Sequence, residues 1–448
     1  MARWLACILF LIYLNAPVVC ARELGLPTVL AGFALLALAV PVYRRLVELK
    51  EPVYVPPALA MAALFAVLGF VSAAGSARPQ SSIAYALSFT LEGFAVAFLI
   101  ANAIRTRDEL TLAVKALVAA GGLMGLIALL HQIIGTEQTA FFGFSQLDAT
   151  ISDDAGHTRR RMAGPLGETN RFAQVLAVLL PLSGAMIRHG RPGARLFFAG
   201  CTACIAVGVV LTFSRGAVVA LILSMPFALA LGVIGRRHLF VLIVIGAVTV
   251  AALPPLAERI QSVGAVLVQT TGFGVTGLRA ADGAARGRVT EMQATGLMFL
   301  ERPLIGNGPG MVPYLYPEYA VAVGGKVRPE RRQAHNLYLE VAAETGLLGF
   351  ACYALCLGLT LAGVLSLRRE ARGGDPYLSD VASALALALI ISLLTSLFLH
   401  SSFIRYFWLL VGVCLGAARV RPRPALAWLL DGMFAQVARQ LRTNRLTS

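Results

Sequence analysis

Chemistry is most concentrated in the stretch AHNLYLEVAAETGLLGF (334–350). His335 falls at the expected N-terminus of a long apolar helix. Asn336, Glu340 and Glu344 follow at i, i+4 and i+8, one polar stripe entering apolar sequence. Ionisable groups at membrane depth are costly and face a cavity or a partner. A helix N-terminus disfavours a positive charge. The His335 imidazole is therefore expected to stay neutral, the form that a general base requires. The alternative is a His335 that only caps the helix or bonds a nearby loop. The other five histidines carry weaker signals: His189 and His238 on the inner face, His131 within a span, His157 in a polar loop and His400 in a short outer turn.

A second set of residues is cationic. Arg159, Arg160 and Arg161 lie in one long polar segment that ends at Arg171. Arg259, Arg279, Arg286, Arg288, Arg302, Lys326, Arg328, Arg331 and Arg332 lie in another. The planar guanidinium fork matches phosphate oxygens and keeps its charge at any working pH. A diphosphate at the membrane surface is its natural counterpart, although many of these side chains are expected simply to meet lipid headgroups. Arg215, in LTFSRGA (211–217), stands alone on a short turn between two spans, where the bland alternative is snorkelling. Metal ligation finds no support. Asp153 and Asp154 are adjacent, and Asp148 and Glu168 are scattered, but HExxH, paired CxxC and DxD patterns do not occur. The run GNGPG (306–310) lacks the Lys and hydroxyl of a phosphate-cradling loop. All seven cysteines sit in or at the ends of apolar runs, and Cys201 with Cys204 read as small packing residues. No cofactor is expected.

The elements that must position these groups follow from composition. In 448 residues, 58% are apolar and 14% charged, with mean hydropathy +0.76. Soluble domains are nearer half apolar and a quarter charged, so a water-soluble globule and a disordered chain are both excluded. The formal charge of +15 is expected to orient helices and meet lipid rather than bind nucleic acid. A span takes about 20 mostly apolar residues. Twelve candidates fall near 4–20, 26–43, 55–75, 83–104, 110–134, 171–187, 196–213, 216–235, 238–253, 336–366, 380–398 and 401–418. Lys and Arg collect in alternate short turns (Arg44, Arg45, Lys50; Arg105, Arg107; Arg188, Arg191, Arg195; Arg236, Arg237; Arg368, Arg369, Arg372), which places both termini in the cytoplasm. The expected fold is an all-α polytopic membrane protein. Residues 1–253 hold nine spans with an outer loop near 135–170, residues 254–335 a large and mostly helical outer loop, and residues 336–418 three further spans. Residues 419–448 read as an amphipathic helix on the inner surface, with Leu426, Leu430, Val437 and Leu441 at helical spacing.

PLIGNGPG (303–310), followed after a gap by HNLYLEVAAETGLLG (335–349), resembles the signature of the O-antigen ligase and polymerase superfamily, bacterial inner-membrane glycosyltransferases of the GT-C type. The resemblance extends to the span layout, the large loop before the tenth span and the outward arginines. It implies transfer of an O-antigen glycan from undecaprenyl diphosphate to lipid A–core on the periplasmic face, with inversion and without metal. His335 would correspond to the proposed base; Arg288, Arg215 and Arg161 would hold the donor diphosphate; Asn336 and Glu344 would support the site. The partners implied are the lipid-linked donor, the lipid A–core acceptor and membrane lipids. Within the same chemistry the alternative is a polymerase that extends lipid-linked repeats. A transporter or flippase is a more distant one, since paired broken helices related by a repeat are not evident.

Overall fold

A computed structural model of the chain describes residues 1–27, 32–136, 140–152, 158–241, 244, 246, 283–324, 332–400 and 405–420. Apolar runs of lipid length can satisfy their backbone only internally, and the chain accordingly builds helices. In order they are α1 (Ala2–Tyr13), α2 (Ala16–Glu23), α3 (Phe33–Tyr43), α4 (Pro57–Ala74), α5 (Pro79–Ser88), α6 (Ala95–Ala103), α7 (Arg107–Ile134), α8 (Thr169–Ala177), α9 (Leu179–His189), α10 (Pro192–Leu211), α11 (Arg215–Ala230), α12 (Gly283–Glu301), α13 (Val312–Ala322), α14 (Leu337–Ala371), α15 (Pro376–Thr395) and α16 (Arg405–Arg419). Seven helices are long and apolar enough to cross a membrane: α4, α5 with α6, α7, α8 with α9, α10, α14 and α15. Counting α1 and α2, bent by 54° at Asn15, as one span raises the number to eight. Twelve is not reached among the described residues. Helices α3, α11 and α16 have only 11, 16 and 15 residues, and most of the expected ninth span lies outside the described residues, as does the tail from 421 onward.

Helix α7 packs closely against α1 and α10. Gly122 and Gly125 admit α10 closely: a Cβ at Gly125 would stand 2.2 Å from the Cys204 carbonyl oxygen. Cys201 is buried against Gly122 and every cysteine among the described residues is free. One end of the bundle is basic. Arg45 pairs with Glu109 and Glu51, Arg105 with Glu51, Arg107 with Asp375 at 3.3 Å, and Arg188 with Asp380 at 2.9 Å. Thr106 and Glu109 close a capping box on α7 at this end. The 35-residue α14 starts at the opposite end and finishes here at Arg368 and Arg369.

Two features depart from an all-α reading. Residues Gln146–Ser152 (β1) and Thr158–Gly164 (β2) form an antiparallel hairpin, with Thr150 opposite Arg160 and Leu147 opposite Met162. Alternation along β2 puts Arg160 and Arg161 on opposite faces, so Arg160 bonds the Gly135 carbonyl at 2.6 Å and Arg161 the Thr212 carbonyl at 3.1 Å. The other feature is π-helical backbone, at Arg44–Glu48 after α3 and at Phe89–Phe94 between α5 and α6. Phe89 packs edge-on against Phe65 and Trp408, each at 5.0 Å between centroids.

Candidate functional site

The two pieces of sequence at 303–310 and 335–349 meet as a clasp. Helix α14 is broken at Gly346 (φ 66°, ψ −172°), which frees backbone groups on either side of the break. The loop at 303–308 takes them up. Asn307 and Gly308 N–H donate to the Ala343 and Glu344 carbonyls, both at 2.9 Å, while Leu347 N–H donates to the Pro303 carbonyl at 2.7 Å. The two backbones approach so closely that each needs a glycine. A Cβ at Gly306 would lie 2.4 Å from the Glu344 carbonyl carbon, and one at Gly346 would lie 2.3 Å from that of Leu304. The Asn307 amide adds bonds to the Met298 and Ala343 carbonyls. Glu344, 1% exposed, accepts from Val312 N–H at 3.3 Å and so anchors the start of α13. The glycine run is thus a backbone clasp on a broken helix.

This division splits the expected polar stripe. Asn336 is the N-cap of α14, its side-chain oxygen accepting from Tyr338 and Leu339 N–H at 3.0 and 3.1 Å. Glu340 faces a cavity, and Glu344 faces the clasp. His335 lies just before the cap in a left-handed conformation (φ 48°), held off the helix axis. Its pKa is lowered to about 4, by burial first and then by the charges of Arg288, Arg332 and Arg171. The helix N-terminus is not among the leading causes. Across the site, the His335 ring meets that of His400 edge-to-face at 5.2 Å. Arg171, on α8, donates from Nη2 to His400 Nε2 at 2.9 Å and pairs with Glu168 at 2.7 Å. Burial, with Arg171 and His335, brings the His400 pKa to about 2. Glu291 on α12 completes the group, 3.7 Å from His335 Nε2 and 3.8 Å from Arg332 Nη1.

Arg161, Arg215 and Arg288 converge from β2, α11 and α12. Burial leads in lowering the Arg161 pKa; Asp148 opposes it, and the Arg288 and Arg215 charges reinforce it. Bringing like charges together favours an anion among them. A narrow crevice beside this cluster is lined by Arg288, Asn170, Ser214, Gly216 and Thr395. Ser214, N-cap of α11, accepts from Ala217 N–H and bonds Asn170. Arg288 thus faces two ways, toward Arg161 in this cluster and toward His335.

Against His400 is a cavity of about 470 Å³, within the range of small-molecule sites. It is lined by Arg171, His400 and Glu340, and by Glu92, which pairs with Arg405 at 2.6 Å. Two of the helix irregularities open onto it: Asn15 from the α1–α2 bend and Glu92 from the π-helical turn at Phe89–Phe94. Non-helical backbone at membrane depth is tolerated where it lines a cavity, and single π-turns recur at functional sites. Among the described residues no group of three or more His, Cys, Asp or Glu could hold a metal ion.

The structure therefore gathers His335 and Arg288 at one place, puts Arg161 and Arg215 beside Arg288, and assigns Asn336 and Glu344 to the backbone. Arg259, Arg279, Lys326, Arg328 and Arg331 lie outside the described residues. Sequence reading did not single out Glu291, Arg171, Arg332 or His400, which the structure places around His335. Spacing held one hint, since Glu291 follows Arg288 by three residues and shares its helix face. His400 gave none beyond its place in an outer turn.

Seven helices long and apolar enough to cross a membrane define a polytopic helical membrane protein. Residues 200–354 match the model of a family described as O-antigen ligase, and the match supports membership of that family. It supports a membrane glycosyltransferase of the ligase or polymerase type. The matched segment holds Arg215, Arg288, Glu291, His335 and the whole clasp; Arg161, Arg171 and His400 lie outside it. Among solved structures, a chain described under "Structural coordination of polymerization and crosslinking by a peptidoglycan synthase complex" is similar over 81% of this chain and 96% of that one, with 16% identity and a TM-score of 0.43. No curated protein matches the chain.

Proposed function

We propose that the protein transfers O-antigen polysaccharide from undecaprenyl diphosphate to lipid A–core at the periplasmic face of the inner membrane, with inversion, without metal and with His335 as general base. The observation that carries this reading is a half-buried imidazole, its pKa lowered, next to arginines drawn from distant parts of the chain. A sugar hydroxyl is a poor nucleophile at neutral pH, whereas a diphosphate is already a good leaving group. Base assistance to the acceptor is therefore where a side chain helps most. His335 takes the hydroxyl proton as the oxygen bonds to the anomeric carbon. The bond from that carbon to the diphosphate breaks on the opposite face, and its electron pair leaves with the diphosphate. Arg161, Arg215 and Arg288 hold the departing charge. The sugar next to the reacting centre occupies the cavity lined by Glu340, His400, Glu92 and Arg405, whose mixture of carboxylates, guanidiniums and Tyr406 suits hydroxyl groups.

Both termini are assigned to the cytoplasm, because the basic turns gather at the end of the bundle away from the site. The test is purified protein with a lipid-linked O-polysaccharide donor and a lipid A–core acceptor. Capped lipopolysaccharide is the expected product. Lengthened lipid-linked chains with the core left bare would make the protein a polymerase instead, and no transfer to either acceptor would remove the reading.

A further inference from the structure

Glu291 has no part in the reaction as described so far, yet its carboxylate is 2% exposed and stands 3.7 Å from the histidine. Burying a carboxylate is costly unless it is paired, and two groups near this one belong to the site: Arg332 at Oε1 and His335 at Oε2. We propose that Glu291 is the positioning residue of His335, orienting the ring so that Nε2 carries the proton and Nδ1 is the atom that receives the acceptor hydroxyl's proton. The proposal rests on the reading of His335 as general base.

The argument is one of donors and acceptors. A neutral imidazole has one N–H and one lone pair, and an ionised carboxylate only accepts. The nitrogen facing Glu291 is Nε2, at 3.7 Å and short of a hydrogen bond in the resting site; an ionised carboxylate on that side favours the tautomer with the proton on Nε2. Nδ1 keeps the lone pair, and it is buried with no hydrogen-bond partner among the described residues. His400 cannot supply the base in its place. Its Nε2 accepts from Arg171, and a guanidinium can only donate, so the His400 proton is on Nδ1 and the lone pair on Nε2 is occupied.

Among the described residues, the charged and titratable groups facing His335 include Arg288 and Glu291 from α12, Arg332 from the segment before the histidine, Arg171 from α8 and His400 from the turn after α15. Three of these are cations that disfavour an imidazolium, and Glu291 is the carboxylate that favours one. As Nδ1 takes the proton, the new positive charge draws Nε2–H onto Glu291, a contact expected to tighten from its resting 3.7 Å. The same charge is neutralised when the proton returns to water after the diphosphate leaves. Nothing is oxidised or reduced.

The experiment uses the full chain in lipid nanodiscs with lipid-linked donor and lipid A–core, comparing wild type with Glu291→Gln, Glu291→Asp and His335→Ala. Glu291→Gln is expected to lower kcat about ten- to a hundred-fold with the acceptor KM little changed, and Glu291→Asp to recover part. Loss of the negative charge makes the imidazolium less stable, so the acid limb of the pH–rate profile should move to lower pH in the Gln variant. In wild-type protein with all six histidines labelled with ¹⁵N, the His335 signal, assigned by its loss in His335→Ala, should report a protonated Nε2 and a bare Nδ1. A protonated Nδ1 at neutral pH, or Glu291→Gln with unchanged kcat and acid limb, would overturn the proposal. If Glu291→Gln does not elute as a folded protein, the wild-type spectrum and the Asp variant still decide. An active His335→Ala would mean instead that the general-base reading had failed.

Discussion

At the scale of single residues, the site is a contest between burial and charge. Burial and three arginines hold the His335 imidazole neutral down to about pH 4. A base is lost when it is protonated, so transfer by the wild type should fall as pH drops through about 4 rather than through the ordinary histidine range. The measurement is initial rate against pH with a fixed donor. His335→Gln keeps polarity but cannot take the proton, and it should lower turnover by about 10²–10⁴-fold; a near wild-type rate would make the histidine a positioning group. Arg288→Ala and Arg215→Ala should each weaken donor use about ten- to a hundred-fold, since hydrogen bonds to charged groups contribute about 1.5–3 kcal/mol. Lys at either position should restore only part, because it keeps the charge but loses the fork. Undiminished donor affinity in both Ala variants would remove them from the site.

At the scale of elements, the clasp between 303–308 and 343–348 is the unit that sets where α14 begins. Its two glycines answer each other, and a methyl at either would collide with backbone rather than with a movable side chain. Both also have positive φ, so Ala is strained there whatever the space. Gly306→Ala and Gly346→Ala should each lower the thermal unfolding temperature and reduce transfer. Because either change opens the same clasp, the double variant should cost clearly less than the sum of the two; full additivity would mean that the two positions act separately. The cap at Asn336 is a smaller matter: Asn336→Ala should cost about 1 kcal/mol of stability.

At the scale of the molecule, much of the architecture is legible in sequence because bilayer thickness imposes a length on apolar runs. The boundaries of α4, α7, α10 and α15 fall close to the expected ones. Legibility fails where helices are short or broken: α3, α11 and α16 lack the length of a span, and the bend at Asn15 and the π-turn at Phe89–Phe94 leave no periodic trace. The hairpin carrying Arg161 escaped because a short, arginine-rich run does not alternate apolar with polar residues. In the site, His335 and Arg288 stood out by residue type, but Glu291 and His400 become meaningful only when α12 and the turn after α15 are brought against the start of α14. A whole-molecule test bears on the absence of metal in the proposed chemistry. Transfer should be undiminished by a strong chelator, and inhibition reversed by Mg²⁺ or Mn²⁺ would refute that part of the reading.

The break at Gly346 also bears on how the protein fits its lipid. An unbroken helix of 35 residues would be far longer than the roughly 20 that cross a bilayer. With the break, residues 347–371 suffice to span, while 337–345 form a separate arm whose angle is set by the 303–308 loop. Hydrophobic mismatch is then absorbed below the break, as tilt of the lower segment. The arm that carries Glu340, next to His335, keeps its bearing on the arginines whatever the thickness of the surrounding membrane. Turnover in nanodiscs of short-chain and long-chain phospholipid should accordingly differ by less than about twofold, and the Gly346→Ala variant should lose that indifference.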